Sequence, residues 1–335
     1  MNTKSFDVSN FARLSLSNHK FSRAELINAV DTSCVDPWDL IYQASIVRRE
    51  KYSNYVRLCS IVPGKLGHCT EDCKWCAQSN PSAPGVTDFK RTNSEQIQKA
   101  AIEASQLGSA YIGVVNSGFS PSKRDLDDVK QASHEVTKDL SGKIKFCASL
   151  GDLSESQAAD LAESEVVRYH HNLETSRRFF PNMVSTHTYD QKLQTLKIAK
   201  DAGLSICCGG IFGLGENWDD RIDLAFDLRD VVGPDVVPMN FLVPVSGTKL
   251  ENQQRMNPME ILQTIALYRL ILPNCDIKVA GGRESNLRSM QSMIFQAGAT
   301  SIMVGNYLTT AGQTPQQDMQ MLKDLELEVL NEFPK

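Results

Sequence analysis

The stretch Asp190-Gln-Lys-Leu-Gln-Thr-Leu-Lys-Ile-Ala-Lys-Asp-Ala202, closed by Gly203 and followed by Leu204-Ser-Ile-Cys-Cys-Gly-Gly-Ile211, decides the fold. An amphipathic helical pattern runs into glycine, the expected C-terminal stop, and a short β-rich run begins at once. The same unit recurs in both directions. Strands are predicted over Arg57–Val62, Ser109–Val115, Ile144–Leu150, Val166–Asn172, Leu204–Ile211, Val236–Leu242, Cys275–Gly281 and Ser301–Gly305. Helical patterns fill the intervals, among them Ser94–Leu107, Glu155–Glu163, Trp218–Val231, Pro258–Leu272 and Arg288–Ala297, the last again stopped by a glycine, Gly298. Eight β/α units in series imply a parallel sheet, and eight close naturally into an α/β barrel of the (β/α)8 TIM type. A doubly wound open sheet is the structural alternative. No linker divides the chain, so one barrel is expected over residues 52–325, with an N-terminal helical extension over 1–51 and a C-terminal tail over 326–335.

The 335 residues are 41% hydrophobic and 22% charged, ordinary for a globular enzyme. A net charge of −5 argues against a nucleic-acid surface, which needs a basic patch. No apolar run approaches the roughly 20 residues that cross a bilayer. Met1 to Asn28 lacks the apolar core of a signal peptide. Nine cysteines without such a signal suggest a reducing compartment, where thiols bind metal or react, and the cytoplasm is the expected location.

Three of those cysteines crowd one loop, Cys69-Thr-Glu-Asp-Cys73-Lys-Trp-Cys76, directly after the first predicted strand. A four-iron cluster normally takes four thiolates, so three leave one iron open to bind a small molecule. Zinc sites use paired elements that supply four ligands, and no second close pair with that spacing follows. A disulfide staple suits secreted scaffolds rather than this chain. In a barrel the loop lies at the C-terminal ends of the strands, where active sites form.

Strand alternation predicts which side chains look inward. One face carries Arg57, Cys59 and Ile61 on the first strand and Lys145, Cys147 and Ser149 on the third. Arg168, His170, Asn172 and Glu174 share a face at the fourth, and Ser205, Cys207 and Gly209 at the fifth. Pro238 pairs with Asn240, and Asp276 with Lys278 and Ala280. So many polar groups inside a barrel are costly unless a ligand satisfies them. A deep polar cavity follows.

The cysteine loop with Trp75 resembles the radical S-adenosylmethionine motif. From about Asp36 to Leu325 the chain is similar to the biotin synthase family. The matching segments are Ala148-Ser-Leu-Gly151, Tyr169-His-His-Asn-Leu-Glu-Thr175, Gly209-Gly-Ile-Phe-Gly-Leu-Gly-Glu216, Pro238-Met-Asn-Phe-Leu242, Gly281-Gly-Arg-Glu284 and Gly305-Asn-Tyr-Leu-Thr-Thr310. The resemblance implies a [4Fe–4S] cluster on Cys69, Cys73 and Cys76 that binds and reductively cleaves S-adenosylmethionine. The radical so formed removes hydrogens from dethiobiotin, and sulfur is inserted to give biotin. It also implies roles for single residues. Trp75 belongs to the S-adenosylmethionine site. Asn172 and Glu174 hold the ribose hydroxyls, and Lys192, where relatives often carry Arg, faces the methionyl carboxylate. Gly209, Ile211, Gly213 and Glu216 fit a GxIxGxxE pattern beside the adenosine. Asn240 contacts the ureido ring of dethiobiotin, with Asn172 nearby, and Thr309 and Thr310 its carboxylate. A flavodoxin or ferredoxin as electron donor, iron–sulfur assembly proteins and a homodimer are the implied partners, with no nucleic acid and no membrane.

The match breaks at the auxiliary [2Fe–2S] cluster, the sulfur donor of the well-known form. Of its three cysteines and one arginine, two survive as Cys147 and Cys207; the others fall on Gly113 and Lys278. Lysine binds iron only as the neutral amine, against a reference pKa of about 10.4. Cys59, inward on the strand next to Gly113, is the expected replacement: Cys59, Cys147 and Cys207 would hold the cluster, with Lys278 or an exogenous group completing it. The alternatives are a buried hydrophobic role for Cys59, and a related radical mutase or maturation enzyme that inserts no sulfur. Cys34, Cys208 and Cys275 are expected to be structural.

Overall fold

The protein is described from a computed structural model covering residues 6–67, 69–79, 90–305 and 312–330. Its centre is a closed ladder of parallel strands: β1 (Tyr55–Leu66), β2 (Tyr111–Asn116), β3 (Lys145–Ser149), β4 (Val166–His170), β5 (Ser205–Cys207, resumed as Gly210–Phe212), β6 (Val236–Phe241), β7 (Asp276–Val279) and β8 (Ser301–Met303). Closure comes from β8 pairing with β1, Arg57 beside Ser301 and Cys59 beside Met303. Side chains on the outer faces, such as Leu58, Val114, Phe146 and Ile277, are fully buried against the helices.

Two predicted elements are broken. The fifth strand is interrupted at Cys208 and Gly209, because Gly209 lies against the neighbouring strand: a Cβ there would stand 2.0 Å from the Pro238 carbonyl oxygen. The predicted helix Arg288–Ala297 is instead Arg283–Leu287, a tight turn at Arg288–Met290, and Met293–Gln296. Its first turn starts early because Arg283 is fully buried against Asp318 at 2.8 and 2.9 Å, and a positive φ of 54° at Arg288 ends it.

The N-terminal extension forms three helices, Phe11–Leu16, Arg23–Val30 and Pro37–Tyr52. Arg48 of the third is buried and donates to the carbonyls of Ala299, Ser53 and Tyr55, tying the extension to the barrel's N-terminal end. The expected tail contributes a strand, Glu328–Val329, parallel to Tyr55 and Val56. Below the cavity the barrel is closed by an ionic layer. Arg57 meets Asp276 at 2.8 Å, and the Arg168 guanidinium lies 4.1 Å from the Tyr111 ring centroid. Among the described residues no helix is long and apolar enough to cross a membrane.

Candidate active site

The barrel interior holds two compartments stacked along its axis. The lower one, about 330 Å³, is lined by Cys59, Cys147, Cys207 and Lys278, with Gly113 and Arg168 on its wall. Register explains the grouping: Cys147 pairs with Gly113 on one side and Arg168 on the other, and Cys59 pairs with Tyr111 and Met303. Lys278 Nζ lies 3.7 Å from Cys59 Sγ and 3.7 Å from Cys207 Sγ. His170 Nδ1 lies 3.2 Å from Cys207 Sγ.

The electrostatics of this compartment are those of an anion site. Burial opposes the charge of Lys278, but the sulfurs of Cys207, Cys59 and Cys147 more than offset it and push its pKa up. Arg168 is pushed up in the same way, chiefly by Cys147 against its burial. Burial drives the Cys147 thiol up to about 12, although Arg168 opposes this. His170 is driven down to about 3 by burial and by Lys278, so its ring is neutral. Three thiols beside a lysine and an arginine suit an iron–sulfur cluster held by thiolates, whose negative charge the two cations would offset.

The upper compartment, about 230 Å³, is lined by Cys69, Cys73 and Cys76 together with Trp75, Asn172, Glu174 and Lys192. Trp75, His170, Asn172 and Glu174 line both spaces, so the two communicate along one wall. The cysteine loop curls on itself: the Cys76 amide donates to the Cys73 carbonyl at 3.1 Å, and the Gln78 amide to Cys76 Sγ at 3.4 Å. Burial pushes the Cys73 and Cys76 thiols up, so iron must displace their protons.

Beyond β4 the chain stays laddered to β5. The Leu173 amide donates to the Gly209 carbonyl at 3.1 Å and the Ile211 amide to the Glu174 carbonyl at 2.7 Å. This holds Glu174 at a φ of 71°, a conformation that a non-glycine residue adopts only when its neighbours enforce it. Asn172 accepts from the Gly209 amide at 3.1 Å. Glu174 Oε2 is buried with no hydrogen-bond partner, and burial pushes its pKa up against the opposing Lys192. A buried carboxylate oxygen without a donor calls for one, and a ligand hydroxyl is a group of the right kind.

The other predicted residues fall in the lower compartment, in the β5 loop or outside the described residues. Ile211 and Asn240 line the lower compartment. The Asn240 amide already bonds the Gly210 carbonyl at 3.2 Å and the Gly281 amide at 3.0 Å, leaving one proton and one lone pair for a ligand. Glu216 is turned to its own loop: it accepts from the amides of Gly213 at 2.9 Å and Leu214 at 2.7 Å, and from Arg221 Nε at 2.8 Å. Gly213, at a φ of 89°, is the turn this carboxylate holds. The GxIxGxxE pattern therefore shapes the β5 loop, with Ile211 its cavity-lining member. Thr309 and Thr310 lie outside the described residues. Cys208 is buried outward, Cys275 bonds the Pro234 carbonyl at 3.2 Å, and Cys34 sits beside Asp31.

Sequence reasoning gave no role to Glu71, Asp72 or His187. Glu71 and His187 line the upper compartment and meet at 2.6 Å. Two acids in a polar loop read as solvated charges, and nothing local announces a partner more than a hundred residues on.

Residues 66–228 match the Radical SAM superfamily, and residues 238–328 match the Biotin and Thiamin Synthesis associated domain. The biotin synthase of Geotalea daltonii is 46% identical over 293 residues, covering 87% of this chain and 88% of that one. That of Geobacter metallireducens is 44% identical over 315 residues, covering 94% and 95%. Among solved structures, methylornithine synthase superposes with a TM-score of 0.80 at 16% identity, covering 96% of this chain and 97% of that one. The FeFe-hydrogenase maturase HydG from Carboxydothermus hydrogenoformans gives 0.78 at 16% identity, covering 96% and 78%. At these identities the structural likeness speaks for the barrel alone.

Proposed function

The chain belongs to the biotin synthase family within the radical S-adenosylmethionine superfamily, and from that premise we propose that its two compartments divide the conversion of dethiobiotin to biotin between them. When bound, the [4Fe–4S] cluster and S-adenosylmethionine supply one-electron cleavage and hydrogen abstraction, and the auxiliary iron–sulfur cluster supplies the sulfur. Cys69, Cys73 and Cys76 hold the first cluster. Lys192 faces the methionyl carboxylate, Glu174 and Asn172 take the ribose hydroxyls, and Trp75 and Ile211 flank the adenosine.

Asn240 offers its remaining donor and acceptor to the ureido ring of dethiobiotin, and Thr309 and Thr310 take its carboxylate. Cys59, Cys147 and Cys207 hold the auxiliary cluster. Lys278 donates toward Cys59 and Cys207, and in that role it leaves a fourth position to an exogenous group.

The observation that carries this reading is the meeting of Cys59, Cys147 and Cys207 in one cavity directly beneath the three-cysteine loop. Reduction by flavodoxin or ferredoxin, cluster loading by iron–sulfur assembly proteins, a homodimer and a cytoplasmic location rest on family membership alone. The test is anaerobic incubation of reconstituted protein with dithionite, S-adenosylmethionine and dethiobiotin. Biotin together with 5′-deoxyadenosine is expected; 5′-deoxyadenosine without biotin sinks the sulfur-insertion reading.

A further inference from the structure

The loop that carries Cys69, Cys73 and Cys76 is fastened to a distant segment through its two acidic residues. Glu71 is buried; its Oε2 accepts from Thr186 Oγ1 at 2.6 Å and faces His187 Nδ1 at 2.6 Å. Its Oε1 accepts from Thr70 Oγ1 at 3.1 Å. Asp72 accepts from the Ser185 amide at 2.9 Å, the Ser185 hydroxyl and the Thr186 amide at 3.2 Å. In return the Asp72 amide donates to Thr186 Oγ1 at 3.3 Å, and the Lys74 amide donates to the Met183 carbonyl at 3.1 Å. The side-chain partners stand 113 to 116 residues apart, so no local turn makes these bonds. Hydrogen bonds to ionised acceptors are about twice as strong as neutral ones, and a loop needing only solubility would leave both carboxylates in water.

The fastened segment leads straight into a helix. Thr188 caps Tyr189–Asp201, accepting from the Gln191 amide at 3.2 Å, and buried Lys192 stands in its first turn. Lys192 lines the same compartment as the three cysteines. Asp72, adjacent to Cys73, is thus bonded to Thr186, and only His187 separates Thr186 from the Thr188 cap of the helix that carries Lys192.

We propose that Glu71, Asp72, Thr186 and His187 form a positioning clasp that fixes the three-cysteine loop against the helix of Lys192. The clasp sets the distance between the open iron and the Lys192 ammonium, the two points that grip the amino-acid end of S-adenosylmethionine. It rests on the S-adenosylmethionine site proposed above.

Thr186→Val removes the one hydroxyl shared by both carboxylates while keeping the shape; Thr186→Ser keeps the hydroxyl. In full-length protein reconstituted anaerobically, Thr186→Val is expected to retain iron content and the EPR signal of its reduced cluster. It binds S-adenosylmethionine about tenfold more weakly, with KM raised more than kcat falls. Thr186→Ser restores the affinity. Unaltered affinity and an unaltered S-adenosylmethionine-induced EPR change in Thr186→Val overturn the clasp alone. A wild-type protein whose EPR signal ignores S-adenosylmethionine overturns the site and the clasp with it. If Thr186→Val does not load iron, Asp72→Asn is followed by amide hydrogen exchange. Faster exchange at Ser185 and Thr186 that spreads into Tyr189–Lys192 is expected, and change confined to Ser185 and Thr186 overturns the proposal.

Discussion

Lys278 Nζ and Cys59 Sγ lie 3.7 Å apart across the closure of the barrel, although 219 residues separate them in the chain. The same ammonium is equally close to Cys207 Sγ, and Cys147 lines the same space. A cysteine that alternation turned inward on β1 thus shares a cavity with Cys147 and Cys207, the two cysteines proposed to hold the auxiliary cluster, while Gly113 on the same wall carries no side chain.

Cys59→Ala is expected to lose the auxiliary cluster and keep the other. Iron and sulfide analysis of the anaerobically reconstituted variant, with EPR for the [4Fe–4S] cluster, measures this. Auxiliary iron and sulfide at wild-type levels would show Cys59 to be a buried hydrophobic residue only.

Lys278→Gln tests the ammonium as a donor rather than a ligand. Removing a positive charge beside an anionic cluster disfavours its reduced form. The auxiliary potential should therefore fall, by on the order of 50–150 mV at the effective dielectric of buried sites. Cluster content should largely survive. Spectroelectrochemical titration reads the shift; complete loss of the cluster with no measurable potential would point to a ligand instead.

Glu174 carries a buried, unpartnered oxygen in the upper compartment. Glu174→Gln replaces an acceptor by an amide donor and is expected to weaken S-adenosylmethionine binding by about 2–3 kcal/mol. Glu174→Asp should lose less, because Asp tolerates a positive φ better. Equilibrium binding to the reconstituted protein checks both, and equal affinities for all three forms would remove the ribose assignment.

Gly209→Ala should act on the fold rather than on the cofactor. The added methyl meets the Pro238 carbonyl at 2.0 Å, so β5 must move off β6. A cost of about 2–4 kcal/mol is expected in reversible urea unfolding of the cluster-free protein. Unchanged stability with weakened S-adenosylmethionine binding would return Gly209 to the cofactor site.

Much of this was legible in the chain. The alternation of helix and strand is local: period 3.6 and period 2 are written residue by residue, and Gly203 marks a helix end without reference to any partner. Alternation also placed Cys59, Cys147, Cys207, Asn172 and Glu174 on inward faces. Glu216 shows where that reasoning stops. Its place in a glycine-rich pattern suggested a cofactor contact, yet its carboxylate is taken by Gly213, Leu214 and Arg221.

By itself the sequence determined the eight-unit order, the three-cysteine loop at the catalytic end and the polar inner faces. Each depends on neighbours a few positions away. The tertiary structure decided what those faces meet. Closure of β1 on β8 brings Cys59 to Lys278, Gly209 breaks β5 against Pro238, and Ser185–His187 clasp Glu71 and Asp72. Register across a closed barrel is a property of all its strands together, and no local spacing encodes it.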